Sequence, residues 1–140
     1  MINSENPYSP PEIDTKPIVS KPAAPLSIQA ILFSFEGRIP RRVYWAASLC
    51  VGFVFYGVVF GLEAAFGPES PVAMIGLFVM YIPMLWISIS IQAKRWHDRD
   101  KSGWWFLINF IPIIGPLWAF IEIGCLRGTM GPNSYGADPT

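Results

Sequence analysis

"WWFLINFIPIIGPLWAFIEIGCL", residues Trp104–Leu126, decides how often this chain crosses a membrane. The run is long enough for one crossing, because a hydrocarbon core of about 30 Å takes about 20 helical residues at roughly 1.5 Å each. It also holds Asn109, Pro112, Gly115, Pro116 and Glu122. Each proline removes a helical N–H and leaves a carbonyl without its usual partner. The adopted reading is a third spanning helix, kinked at the prolines; the alternative is a re-entrant turn that returns the tail to the side it left. Glu122 decides little, since a carboxylate within about a turn of a helix end reaches the interface at modest cost.

Upstream lie two cleaner runs, Val43–Leu62 and Val72–Ile91, neither of which contains a charge. The chain is 52% hydrophobic and 14% charged, against about a quarter charged in soluble domains. The expected fold is therefore an all-α membrane protein with three transmembrane helices (about 43–62, 72–91 and 104–126), the third broken by proline and glycine. The helical membrane domain covers 26–130. Residues 131–140 form a short polar tail, and residues 1–25, proline-rich and without an apolar core, read as a disordered cytoplasmic tail rather than a cleavable signal. The formal net charge is zero, so nothing in the overall balance points to nucleic acid as a partner.

Lys and Arg in short loops accumulate on the cytoplasmic side. Lys16, Lys21, Arg38, Arg41 and Arg42 precede the first run, and Lys94, Arg95, Arg99 and Lys101 follow the second, whereas "EAAFGPESP" between them has two glutamates and no base. The N-terminus and the second loop are thus expected in the cytoplasm. Three full spans would then put the C-terminal tail outside.

Ile28, Ile31, Leu32 and Phe35 recur at helical spacing in "LSIQAILFSFEG", which suits a short amphipathic helix in the interface or a lead-in helix packed on the bundle. Ser27 is placed to cap it and Gly37 to stop it. Gly57 and Gly61 form a GxxxG step for close helix packing, within the chain or as the face of a homo-oligomer. Cys50 and Cys125 fall at opposite depths of a three-span protein and read as reduced packing residues. The spacing of Cys and His offers neither a metal site nor a cofactor site.

The loop "KRWHDRDKSGWW", Lys94–Trp105, concentrates the chemistry. His97 and Asp98 invite an acid–base reading, yet adjacent helical side chains diverge by about 100° and do not orient each other as a triad requires. Ser102 lacks the glycine frame of a nucleophile elbow. No catalytic residue is assigned. Asp98 is instead spaced to pair with Lys94, Arg95 and Lys101, and Trp96, Trp104 and Trp105 suit the headgroup level. "GRIPRRVYW" supplies Arg38, Arg41 and Arg42 on the same side, either for lipid phosphates or for Asp98 and Asp100. Together with Arg95, His97, Asp98, Asp100, Ser102 and Trp104, these arginines form a candidate platform for anionic headgroups or a membrane or cytoplasmic protein partner. His97, with an ordinary pKa near 6.5, is also a candidate pH switch.

"FEGRIPRRVYW", "KRWHDRDKSGWW", "FIPIIG" and "GTMGPNSYGADP" stand in the order that resembles the small bacterial inner-membrane proteins of the domain of unknown function 805 family. The likeness runs from Phe35 to Pro139. It carries Phe35, Gly37, Arg38, Arg41, Tyr44 and Trp45 from the first motif, and Arg95, His97, Asp98, Asp100, Ser102 and Trp104 from the second. Pro112 and Gly115 follow from the third, then Gly128, Gly131, Asn133, Tyr135, Gly136, Asp138 and Pro139 from the tail, where Asn133, Tyr135 and Asp138 form a candidate motif of their own. Ser134 departs from a family base, and Ala137 from a frequent proline. The resemblance implies an inner-membrane bundle of unestablished activity. The expected function is that of a non-enzymatic interaction or accessory protein, with a small transporter using the broken third helix and a lipid-headgroup enzyme using His97 and Asp98 as alternatives.

Overall fold

The computed structural model describes residues 27–139, so the N-terminal tail expected over 1–25 lies outside the described residues. Ser27 starts α1 (Ile28–Phe33) by accepting the Ala30 N–H at 3.1 Å. The helix ends at Ser34 rather than at Gly37, because Ser90 and Lys94 of a later helix take its last carbonyls: Ser90 Oγ donates to Ser34 O at 2.6 Å and Lys94 Nζ to Ile31 O at 2.7 Å. Ile31 and Leu32 pack on Ile39, Ile87 and Ile91. Of the two placements expected for this helix, the lead-in packed on the bundle is the one found.

The two uncharged runs become α2 (Arg41–Phe66, 26 residues) and α3 (Pro71–Asp98, 28 residues), the two helices among the described residues long and apolar enough to cross a membrane. Gly67, at φ 85°, turns the chain between them, and Pro71 opens α3 at a position where a missing N–H costs nothing. At about 1.5 Å per residue α3 is about 42 Å long, so its last turns project beyond a 30 Å core.

The third run does not form a spanning helix, which corrects the expectation for 104–126. After Ser102 it runs as a 3-10 helix over Gly103–Phe110, turns at Ile111–Ile113, and comes back as α4 (Ile114–Ala119) continued by a π-helical turn, Phe120–Cys125. Eight residues of 3-10 helix rise about 16 Å, roughly half a hydrocarbon core. The reversal follows from the residues that cast doubt on the span. Pro112 O accepts the Ile114 N–H at 2.7 Å across Ile113, whose φ of 66° makes this a tight γ-turn. Gly115 then lies against the outgoing 3-10 helix so closely that a Cβ there would sit 1.8 Å from Ile108 O. Ile111 and Gly115 N–H groups are bonded at 3.0 Å, and Pro112 and Pro116 have no N–H to satisfy. Both ends of this hairpin therefore lie beside the last turns of α3. Gly57 and Gly61 are exposed on α2, with open space around them, and pack against nothing among the described residues.

Candidate functional site

The charged end of the bundle is a closed knot around Asp98. Arg95 and Asp98, three apart on α3, share a face and are 0% and 2% exposed. Arg38, 6% exposed, enters from the extended segment before α2, where Gly37 at φ 88° allows the bend. Arg38 Nε and Nη2 donate to Asp98 Oδ1 at 3.1 and 3.0 Å, and Arg95 Nη1 donates to Asp98 Oδ2. Two cations around one carboxylate leave a surplus positive charge, which backbone dipoles offset. Arg95 Nε donates to Ile123 O at 2.6 Å and its Nη2 to Leu126 O, while Arg38 reaches Thr129 O at 2.7 Å, Gly131 O at 2.8 Å and Gly136 O at 3.2 Å.

These contacts explain why the returning helix stops where it does. The last carbonyls of a helix lack intrahelical partners and carry partial negative charge. Here Arg95 takes Ile123 O, Trp45 Nε1 takes Gly124 O at 3.0 Å and Arg41 takes Cys125 O at 3.2 Å, and just past the helix Arg99 takes Arg127 O. Glu122, on the last turn, accepts from Lys101 Nζ at 2.8 Å and from Arg99 Nη2 at 3.1 Å. Burial pushes its carboxyl up, but the Lys101 and Arg99 contacts outweigh burial and hold it below the ordinary carboxylate range. Asn109, whose amide donates to Gln92 Oε1 at 2.9 Å, ties the hairpin to α3 as Glu122 does.

The tail docks on the same knot. Gly128 lies so close to Asp98 that a Cβ would meet Oδ2 at 2.0 Å. Thr129 N–H donates to Asp98 O at 2.8 Å, Asn133 Nδ2 to His97 O at 2.8 Å, and Gly131 N–H to Asp138 Oδ2 at 3.0 Å. Tyr135 stacks flat on His97, with centroids 3.9 Å apart and planes 5° from parallel. Asp100, at φ 56°, accepts the Ser134 N–H at 3.1 Å. Asn133 and Gly136 close the turn as an isolated bridge.

Of the expected platform, Arg38, Arg95 and Asp98 come together but face inward. His97 pairs with Gly37 O through Nδ1 at 3.2 Å and with Tyr135, whereas the Asp98 carboxylate goes to the arginines. Ser102 caps the 3-10 helix by accepting the Trp104 N–H at 3.4 Å. Arg41, Arg42, Asp100 and Trp104 remain exposed. Trp96 is fully buried, packed with Ala119 and Ile123, so its ring faces the protein rather than lipid. Lys94 is likewise turned to α1 instead of to Asp98. Cys50 and Cys125 are free, although Cys125 returns to the Arg41 end of the bundle rather than lying at the far side. Sequence reasoning missed Thr129 and the Lys94–Ser90 clamp, for which pairwise spacing along one helix holds no signal. Among the described residues no three His, Cys, Asp or Glu gather as metal ligands.

Comparison with known proteins finds relatives along most of the chain. Inner membrane protein YhaI of Escherichia coli strain K12 is 34% identical over 115 residues, covering 81% of this chain and 92% of its own. Inner membrane protein YhaH of the same strain is 36% identical over 112 residues, covering 75% and 86%. The uncharacterized protein YiiR, also of strain K12, is 31% identical over 137 residues, covering 81% and 90%. No solved structure matches. The two long apolar helices and these relatives describe a multi-pass bacterial inner-membrane protein. The family profile of proteins of unknown function DUF805 matches residues 32–137, which hold the whole Asp98 knot, and the chain belongs to that family.

Proposed function

We propose that this chain is a non-enzymatic accessory protein of the inner membrane, whose cytoplasmic rim holds anionic lipid headgroups. The observation that carries this reading is the division of its cations. Arg38, Lys94 and Arg95 are buried and occupied by Asp98 and backbone carbonyls, while Arg41, Arg42 and Arg127 are exposed at the same end, beside the exposed indole of Trp104. A lipid phosphate reaches the second group only. Each exposed base near an anionic surface contributes about 1 kcal/mol. In native mass spectrometry of the protein purified with lipid, the triple variant Arg41→Gln, Arg42→Gln, Arg127→Gln is expected to retain at least about tenfold less phosphatidylglycerol and cardiolipin. Unchanged lipid content would refute the reading.

The proposed topology puts both termini in the cytoplasm. Its support is the hairpin, which brings Ser134 to the basic end, and the charge bias of α2 and α3, since the Glu63–Pro71 turn has no base. With Cys50 and Cys125 replaced by serine, Ser134→Cys should react with an impermeant maleimide only after the membrane is opened, and Glu69→Cys should react in intact spheroplasts. Labelling of Ser134→Cys from outside would restore the three-span count.

A further inference from the structure

Between α2 and α3 lies a cleft of about 390 Å³, lined by Tyr44, Ser48, Ser88 and Gln92 at the basic end and by Val51, Gly52, Phe55, Met84 and Leu85 farther in. Its volume is that of a small-molecule site. The chemistry of the polar end is specific. Asn109 donates to Gln92 Oε1 at 2.9 Å and so fixes the amide, whose N–H donors have no partner among the described residues. Ser88 Oγ donates to Met84 O at 2.8 Å. The cleft therefore offers donors, no charge, and an apolar channel behind them. Gln92 directly follows the uncharged run 72–91, so these donors lie at the edge of the hydrocarbon core, where lipid carbonyls sit.

We propose that this cleft binds one membrane lipid through a carbonyl oxygen, which accepts from Gln92 Nε2 while its hydrocarbon chain lies along Val51, Gly52, Phe55 and Met84. An uncharged acceptor fits because no charged residue lines the cleft, and Arg95, on the same helix, has each of its donor nitrogens engaged. Two lipid classes carry that chemistry, the acyl ester of a phospholipid and the ring carbonyl of a prenylquinone. The inference rests on α2, α3 and Asn109 alone, so failure of the arginine-rim reading leaves it standing.

The test uses the full chain in vesicles of phosphatidylethanolamine and phosphatidylglycerol, doped either with phosphatidylglycerol bearing an acyl-chain diazirine or with a diazirine-tagged prenylquinone. Adducts are mapped by mass spectrometry. Val51, Phe55 and Met84 are expected to be labelled above Phe53 and Phe78, which are 83% and 69% exposed on the outer faces of α2 and α3. Gly52→Leu fills the cleft without a clash, since nothing lies within 4 Å of its Cβ position. That variant and Gln92→Leu should each cut cleft labelling about fivefold and leave Phe53 and Phe78 unchanged. The probe that labels more strongly names the lipid class. Cleft labelling that matches the outer faces and survives Gly52→Leu would overturn the proposal. So would crosslinks between copies at Phe55 and Tyr81, which would give the cleft to a second chain.

Discussion

Asp98→Asn is expected to destabilise the folded protein by about 3 to 5 kcal/mol, the cost of breaking a buried ion pair from one side. The side chain keeps its size and one carbonyl, but two guanidinium groups, from Arg38 and Arg95, lose the carboxylate they share while remaining buried. Neither can swing into water without releasing the carbonyls of Ile123, Leu126, Thr129 and Gly131. Loss of the charge should therefore undock the tail as well as lower the thermal midpoint of the purified protein. Asp100→Asn is the matched control. Its carboxylate is exposed and accepts from Ser134 N–H only, so its cost should stay within about 0.5 kcal/mol. Coupling sharpens the test: Arg38→Gln combined with Asp98→Asn should cost less than the two single changes added, since residues in one network are not additive. Equal midpoints for Asp98→Asn and Asp100→Asn would show that the knot is not a stabilising element.

The two long helices were legible in the sequence because twenty uncharged residues have few other places to go. Their observed bounds extend the expected runs by polar turns at the basic end, where Arg41 and the Lys94–Asp98 segment add helix outside the apolar stretch. The hairpin was legible only as an alternative. Pro112, Gly115 and Pro116 weaken a helix, but hydropathy scores an apolar residue alike whether the chain crosses or returns. What decides the return is three-dimensional: Glu122 finds Arg99 and Lys101, and the end carbonyls find Arg41, Trp45 and Arg95. The inward turn of Arg38 was hidden for a related reason. Arginine is ordinarily exposed, and the sequence left lipid phosphate and Asp98 equally open as partners. The tail residues Asn133, Tyr135 and Asp138 carried no physical signal along the chain and entered through family likeness alone, and their partners, His97 O, the His97 ring and Gly131 N–H, are supplied by the fold.

Gly115→Ala should be the most damaging single-methyl change in the protein. Its Cβ would stand 1.8 Å from Ile108 O and 2.8 Å from Ile108 C, both backbone atoms that no side-chain rotation can move aside. The first turn of α4 must back away from the 3-10 helix by well over 1 Å to reach ordinary contact, and the γ-turn at Ile113 leaves no slack between them. Overpacking of this kind costs about 3 kcal/mol or more when the neighbours are rigid. The consequence travels, because α4 positions the carbonyls that Arg95 and Trp45 cap, so a tilted α4 also loosens the Asp98 knot. Gly57→Ala and Gly61→Ala carry the same methyl into open space on α2 and should leave the thermal midpoint unchanged or raise it slightly, since Ala is the better helix former. A Gly115→Ala protein that melts with those two controls would mean that the outgoing and returning segments do not touch. The run from Trp104 to Leu126 would then have to be read as a kinked crossing after all.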